Sequence, residues 1–139
     1  MVASILPDHL KLIGLLHDAA EAYIGDVVQP LKVLLPDYQV IESNFNQAIG
    51  LRFNVNLDHL EEVKAADLIA LATEKRDLLP RERCDWEQLK GIRPLGKLTL
   101  PMTPEQSEET FMRSYFALLE ARQHRSMKAM NNVNQLLAA

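Results

Sequence analysis

Hydrophobic residues recur at helical spacing along most of this chain, and no stretch of useful length alternates apolar and polar positions as a strand would. The first apolar stripe predicts a helix from about residue 8 to Tyr23, ending near Gly25, a residue that permits a helix stop. That stripe consists of Leu6, Leu10, Ile13 and His17. The pattern predicts an all-α protein without internal repeats.

Two further helices are expected in the middle of the chain. The first runs from Tyr38 to about Leu51. The second begins at Asp58, an N-cap residue with Glu61 as its capping-box partner, and continues to about Leu79 before a proline. Both segments are long enough to contribute to one core.

The segments between these helices contain most of the prolines and glycines. Residues 23–37 and 81–102 should therefore be mostly loop, because these residue types interrupt regular structure. Short helical turns are expected near 31–35 and 85–90.

The last helix has the clearest start. Thr103-Pro104-Glu105-Gln106 combines an N-cap residue, a proline at the first helical position and a capping glutamine. From residue 125 onward the composition shifts to Asn, Gln, Ala and Met, which is typical of a weak or fraying helix. We expect residues 1–124 to form one helical domain and 125–139 to be a C-terminal tail, weakly helical or disordered.

Composition excludes several classes of protein. The chain has 139 residues, 47% of them hydrophobic, which suits one domain with its own core. Its net charge is −4 and it has no basic block, which argues against nucleic acid as a partner. The single cysteine, Cys84, excludes an intramolecular disulfide and a cysteine-based zinc site. Without a signal-peptide pattern or an apolar run of about 18–20 residues, we expect a cytoplasmic protein that does not enter the membrane.

Polar residues interrupt the first apolar stripe. His17 and Asp18 are adjacent, and Glu21 follows three residues after Asp18. Carboxylates at this spacing repel each other on a helix unless a cation lies near them. Neutral imidazole together with carboxylate is a donor set that suits a divalent transition metal. The alternative for His17 is a core histidine whose ring bonds to a backbone carbonyl.

Asp67 is a second unusual residue. It shares a face of its helix with apolar residues, whereas aspartate usually favours caps and turns. Metal ligation, or pairing with His17 or Lys32, explains an aspartate at this position. The apolar residues on that face are Leu60, Val63, Ala70 and Leu71.

Two residues in the following loop have a functional and a structural interpretation. Asp26 after Gly25 either forms an Asx turn or acts as an acid that orients water or protonates a leaving group. Lys32 is either a surface lysine or a contact to phosphate.

The spacing His17-Asp18-x-x-Glu21-x-x-x-x-Asp26, with a distant helical Asp67, resembles the HD-domain metal-dependent phosphohydrolases. The closest resemblance is to the small bacterial 5′-deoxynucleotidases and the phage HD hydrolases, over roughly residues 5 to 122. The resemblance implies a compact helical bundle that often forms dimers or larger oligomers, so a homo-oligomer is expected.

The resemblance also implies a role for each residue. His17, Asp18 and Asp67 would be the ligands of a divalent transition metal, which could be Mn, Co, Ni, Fe or Zn. Glu21 would position or deprotonate the attacking water, and Asp26 would assist as a second acid or base.

One feature departs from the family. Its members have an additional metal-binding histidine on a helix upstream of the His-Asp pair, and here only sixteen residues precede His17. His9 would lie on the same predicted helix as His17, and so does not replace that ligand. We expect weaker metal binding and an exposed apolar patch, which another copy of the chain would cover.

Three functions follow from these observations. The first is hydrolysis of nucleotide or deoxynucleotide phosphate esters by metal-activated water. The second is a degenerate, non-catalytic helical protein that binds nucleotide or a protein partner. In the third, the carboxylates only form an ion-pair network with Lys32 and Lys64.

Overall fold

A computed structural model describes residues 1–57, 61–80 and 86–137, and its regular elements in these ranges are all helical. The all-α prediction is therefore confirmed. The helices are α1 (Val2–Ile5), α2 (Lys11–Leu16), α3 (Glu21–Ile24), α4 (Gln29–Lys32), α5 (Pro36–Phe53), α6 (Glu61–Leu78) and α7 (Pro104–Leu137), with a 3₁₀ turn at Glu87–Leu89.

The chain forms two compact units. One spans Met1–Pro101 and the other begins at Met102. None of the helices in the described ranges combines the length and the hydropathy required to cross a membrane.

The first predicted helix, from about residue 8 to Tyr23, is divided into two short ones, α2 and α3. A separate helix, α1, precedes it and ends before Pro7. The interruption follows α2, where the amides of Ala19 and Glu21 donate to the carbonyls of Leu16 and Asp18, each at 3.0 Å. These are bonds to the third preceding residue, as in a tight 3₁₀ turn. The prediction of one continuous helix was wrong, because local turn bonds replace the regular α-helical pattern at residues 17–20.

The core of the first unit joins the N-terminal segment to α6. Val2, Leu6 and Leu10 are buried against a stripe of α6 made of Val63, Ala66 and Ala70. Two alanines in that stripe leave room for close approach of the neighbouring helix. Two residues of the predicted stripe, Leu6 and Leu10, therefore do form core, although they flank the break between α1 and α2.

Helix α5 agrees with its prediction to within two residues at each end. It ends at Asn54, which has a left-handed backbone (φ 51°), and the amide of Val55 donates to the carbonyl of Gly50 at 2.9 Å. This is the pattern of a helix C-cap. The predicted N-cap Asp58 lies outside the described residues, as do Leu60 and Cys84, whereas α6 ends at Leu78 as expected.

The start of α7 is a complete capping box. The amide of Thr103 donates to Gln106 Oε1 at 2.9 Å, and the amide of Gln106 donates to Thr103 Oγ1 at 3.3 Å. The helix then continues without a break past Arg125, where we expected the tail to begin. The tail is helical to Leu137, and its separation from a domain of residues 1–124 stays a prediction.

The C-terminal part of α6 holds the loop that follows the 3₁₀ turn. Thr73, which is fully buried, accepts a hydrogen bond from the amide of Leu95 at 2.9 Å and donates to the carbonyl of Ile69 at 2.7 Å. Arg76 donates to the Leu95 carbonyl at 2.5 Å, and Asp77 accepts from the amide of Thr99 at 2.7 Å. Side chains of one helix thus satisfy the backbone of an irregular segment.

Thr73→Val removes the hydroxyl that accepts the Leu95 amide, and we expect it to lower the free energy of unfolding by about 1–3 kcal/mol, the cost of an unsatisfied buried donor. Urea denaturation measures this loss. Hydrogen exchange of the Leu95 amide should accelerate in Thr73→Val but not in the control Thr73→Ser, which keeps the hydroxyl. Equal exchange in both variants would contradict the assignment.

Candidate functional site

The predicted site residues from three separate elements meet at a cavity of about 620 Å³ in the first unit. His17 and Asp18 follow α2, Lys32 ends α4, and Asp67 lies on α6. Helix α5 contributes a further wall, which the sequence analysis did not identify. The described lining of this cavity does not include Glu21 or Asp26.

The imidazole of His17 is the centre of the arrangement. Its Nδ1 donates to the carbonyl of Gly14 at 3.0 Å, so the structural alternative for His17 is correct for that side of the ring. The other nitrogen, Nε2, lies 3.0 Å from Asp18 Oδ2 and 3.6 Å from Asp67 Oδ1. Neither contact has the geometry of a hydrogen bond, so Nε2 is buried without a hydrogen-bond partner. The pairing of Asp67 with His17 that we considered from sequence is present as this contact.

The two carboxylates control the charge of this ring. Burial acts to lower the pKa of His17, but Asp18 and Asp67 outweigh it and bring that pKa to about 10. At neutral pH the imidazole is therefore protonated on both nitrogens, and its positive charge balances part of the two neighbouring negative charges. A metal ion at the same place would compete with that proton, because metal binding requires the neutral ring.

The donor set fits a divalent metal in chemistry and in two of its spacings. A bond of Nδ1–H to a backbone carbonyl is the usual way in which a metal-binding histidine presents Nε2. Two ligands at metal bonds of about 2.1 Å lie about 3.0–3.4 Å apart, close to the 3.0 and 3.6 Å found here. In the described ranges, no three His, Cys, Asp or Glu side chains form a complete metal-binding group. Instead, His17 Nε2 makes two separate contacts, one with Asp18 and one with Asp67.

The two carboxylates are more accessible than the sequence pattern indicated. We expected Asp67 within the apolar stripe of its helix, but the buried line of α6 runs through Val63, Ala66, Ala70 and Thr73. Asp67 lies beside that line with half of its side-chain surface exposed. The prediction of a buried aspartate was wrong, because the neighbouring Ala66 occupies the buried position. Asp67 lines the cavity instead.

Glu21 has the electrostatics expected of an acid or base. Burial, with the neighbouring carboxylates of Asp18 and Asp26, raises the pKa of Glu21 to about 7. Asp26 itself is exposed and follows Gly25, whose positive φ of 79° suits glycine. The hydroxyl of Tyr38 donates to the Gly25 carbonyl at 2.6 Å and so ties this loop to α5.

Lys32 is already paired. Its Nζ donates to Glu42 Oε1 at 2.7 Å, and both side chains are only 19% exposed. Burial acts to lower the pKa of Lys32, but the bond to Glu42 raises it overall, so this lysine stays charged. The sequence had suggested Asp67 as a partner for Lys32. In the structure Lys32 pairs with Glu42 instead.

Helix α5 presents a polar stripe to the cavity. The stripe consists of Gln39, Glu42, Ser43 and Asn46. Its spacing of three, four and seven residues is that of one helix face. The sequence signal was present, but this polar face was not distinguished from an ordinary solvated one.

Comparison with known proteins finds one relative, the uncharacterized protein YfdR of Escherichia coli strain K12. The two chains are 36% identical over 124 residues, which cover 88% of this chain and 69% of YfdR. No family model matches the chain. No solved structure matches it either.

Glu42→Gln leaves the ammonium of Lys32 without its charged partner in a largely buried place. We expect the free energy of unfolding to fall by about 1–2 kcal/mol, a value reduced for the solvent that still reaches the pair. Glu61→Gln is the matched control, since its pair with Lys64 is exposed and should change stability by no more than about 0.5 kcal/mol. Equal losses would show that burial does not strengthen the Lys32–Glu42 pair.

Proposed function

This chain belongs to the family of the Escherichia coli protein YfdR, and we propose that it hydrolyses phosphate esters of nucleotides or deoxynucleotides with the aid of a divalent metal. Because YfdR is itself an uncharacterized protein, the proposal rests on the site. It also draws on the resemblance of the His17-Asp18 motif and its surroundings to the HD-domain phosphohydrolases.

One observation carries the proposal. The Nε2 atom of His17 is buried, lacks a hydrogen-bond partner and lies within 3.6 Å of carboxylates from two different elements. A core histidine with a purely structural role would not require two acidic neighbours. Such a constellation, in a cavity beside a carboxyl group with a raised pKa, is typical of functional sites.

His17, Asp18 and Asp67 would hold the metal, whose identity among Mn, Co, Ni, Fe and Zn is open. When bound, the metal supplies a Lewis acid that polarises a phosphoryl oxygen and lowers the pKa of water. The Nδ1–H bond to Gly14 fixes the orientation of the imidazole toward this place. Both carboxylates lie within 3.6 Å of the same nitrogen.

Glu21 would accept the proton of the attacking water. Its pKa of about 7 leaves a substantial fraction ionised at neutral pH, and it also makes the carboxylate basic enough to take a proton. Asp26 would act as the second acid or base for the leaving group. Lys32 would contact the phosphate with the N–H groups that its bond to Glu42 leaves over, since an ammonium has three donors.

The first experiment is to measure the metal content of the purified chain, together with phosphate release from a panel of deoxynucleotides with added Mn²⁺, Co²⁺ or Ni²⁺. Bound metal with turnover supports hydrolysis. A folded protein with neither would contradict it, and would favour the non-catalytic binding protein that the sequence left open.

Two variants separate metal binding from catalysis. Asp18→Ala should abolish metal binding and turnover together, because it removes a ligand. Glu21→Gln should retain metal but lower kcat by about 10²–10⁴, the range for loss of a general base. Glu62→Gln, on the exposed side of α6, is the control and should leave both unchanged. Unchanged turnover in Glu21→Gln would show that its assigned role is wrong.

The rate should also depend on pH through Glu21. A base must be ionised to act, so kcat/KM should rise with increasing pH up to about 7 and then level off. A bound divalent metal should shift this rise of kcat/KM to lower pH, because a nearby positive charge favours the ionised form of Glu21. Glu21→Gln should flatten the residual rate over the same range, and an unaltered limb in that variant would assign the pH dependence to another group.

A further inference from the structure

The amide of Asn46 is an unusual feature of the cavity wall. Its Oδ1 atom is buried and has no hydrogen-bond partner, although the residue lines the cavity. A buried acceptor without a donor costs free energy. A ligand that donates a hydrogen bond to the acceptor would remove this cost. The terminal torsion of asparagine is soft, so the amide of Asn46 can rotate at the cavity wall to meet a donor.

The neighbours of Asn46 favour an uncharged polar ligand group. Ser43 and Gln39 on the same face of α5 carry a hydroxyl and an amide, which hydrogen-bond without adding charge. Glu42, the one charged residue of the stripe, is neutralised by Lys32. The α5 wall is therefore polar but close to electrically neutral.

The charges of the lining limit the number of phosphate groups that fit. Its described cations are protonated His17, which lies against Asp18 and Asp67, Lys32, which Glu42 engages, and Lys64, which lies 3.5 Å from Glu61 and is half exposed. Three carboxylates share the same lining, from Asp18, Glu42 and Asp67. Each of these cations already has an acidic neighbour, so several phosphates would find little unpaired positive charge here, whereas a single phosphate needs less.

The volume leaves room for an organic group as well. A cavity of about 620 Å³ falls within the range of about 300–1,000 Å³ that is usual for small-molecule sites. One phosphate fills only a small part of it.

We propose that Asn46 determines specificity by accepting a hydrogen bond from a hydroxyl or N–H group on the organic half of a phosphomonoester. The role of the phosphate in this inference rests on the proposed function, whereas the bond to Asn46 does not. A sugar hydroxyl and a base N–H both supply the required donor, and the experiment distinguishes them.

The test is equilibrium binding by calorimetry to the full chain without added metal. The probes are deoxyadenosine 5′-monophosphate, deoxyribose 5-phosphate and inorganic phosphate. Asn46→Ala should weaken binding of the nucleotide about fivefold, the usual net value of one hydrogen bond, and leave inorganic phosphate unchanged. A parallel loss for deoxyribose 5-phosphate identifies a sugar hydroxyl as the donor, and a loss confined to the nucleotide identifies the base.

Two further variants complete the design. Asn44→Ala, on an exposed position of the same helix, should bind every probe as the unmodified chain does. Asn46→Leu fills a similar volume without a polar atom, so it should be at least as stable as the unmodified chain and still bind the nucleotide more weakly. A merely structural Asn46 would not separate stability from binding in this way.

Equal binding by Asn46→Ala and the unmodified chain would overturn the inference, as would an equal loss for inorganic phosphate. So would failure of the unmodified chain to bind either organic probe. Because binding is measured without metal or turnover, absence of hydrolysis would overturn the proposed function and leave the result for Asn46 intact.

Discussion

The arrangement of the site depends on one contact, the approach of the His17 ring to a carboxylate on α6. Nε2 reaches Asp67 Oδ1 at 3.6 Å across fifty residues of sequence. This approach is set by apolar packing elsewhere, since Val2, Leu6 and Leu10 bury the N-terminal segment against the small side chains of α6. Alanine at residues 66 and 70 permits that closeness, and a larger side chain there would move the histidine away from its partner.

The charges around the cavity form a second constraint, because three carboxylates line it together. The structure balances them in two ways. Protonated His17 neutralises part of the charge of Asp18 and Asp67, and Lys32 neutralises Glu42. The remaining repulsion appears at Glu21, whose pKa is raised by burial and by its acidic neighbours. A bound cation would relieve this repulsion between carboxylates, and this is the physical argument for the proposed metal.

Sequence reasoning was reliable where the signal was local. The capping box at Thr103 and Gln106 is present bond for bond, and α5 and α6 end close to the predicted residues. It was less reliable where other backbone hydrogen bonds compete with those of an α-helix. The first predicted helix is interrupted at residues 17–20 by tight turn bonds. The polar stripe of α5 was overlooked because a polar helix face looks the same in sequence whether water or a cavity covers it.

The sequence by itself determined the helical class, and it identified the His17-Asp18 pair with Glu21 nearby, and Asp67, as unusual residues. These follow from spacing along one chain, because periodicity and residue type depend on near neighbours. Only the tertiary structure decided which carboxylates face Nε2, that Lys32 pairs with Glu42, and that α5 supplies the remaining wall of the cavity. Apart from the contact between the adjacent residues His17 and Asp18, those contacts join segments ten to fifty residues apart. Packing of side chains between helices, rather than any local propensity, selects them.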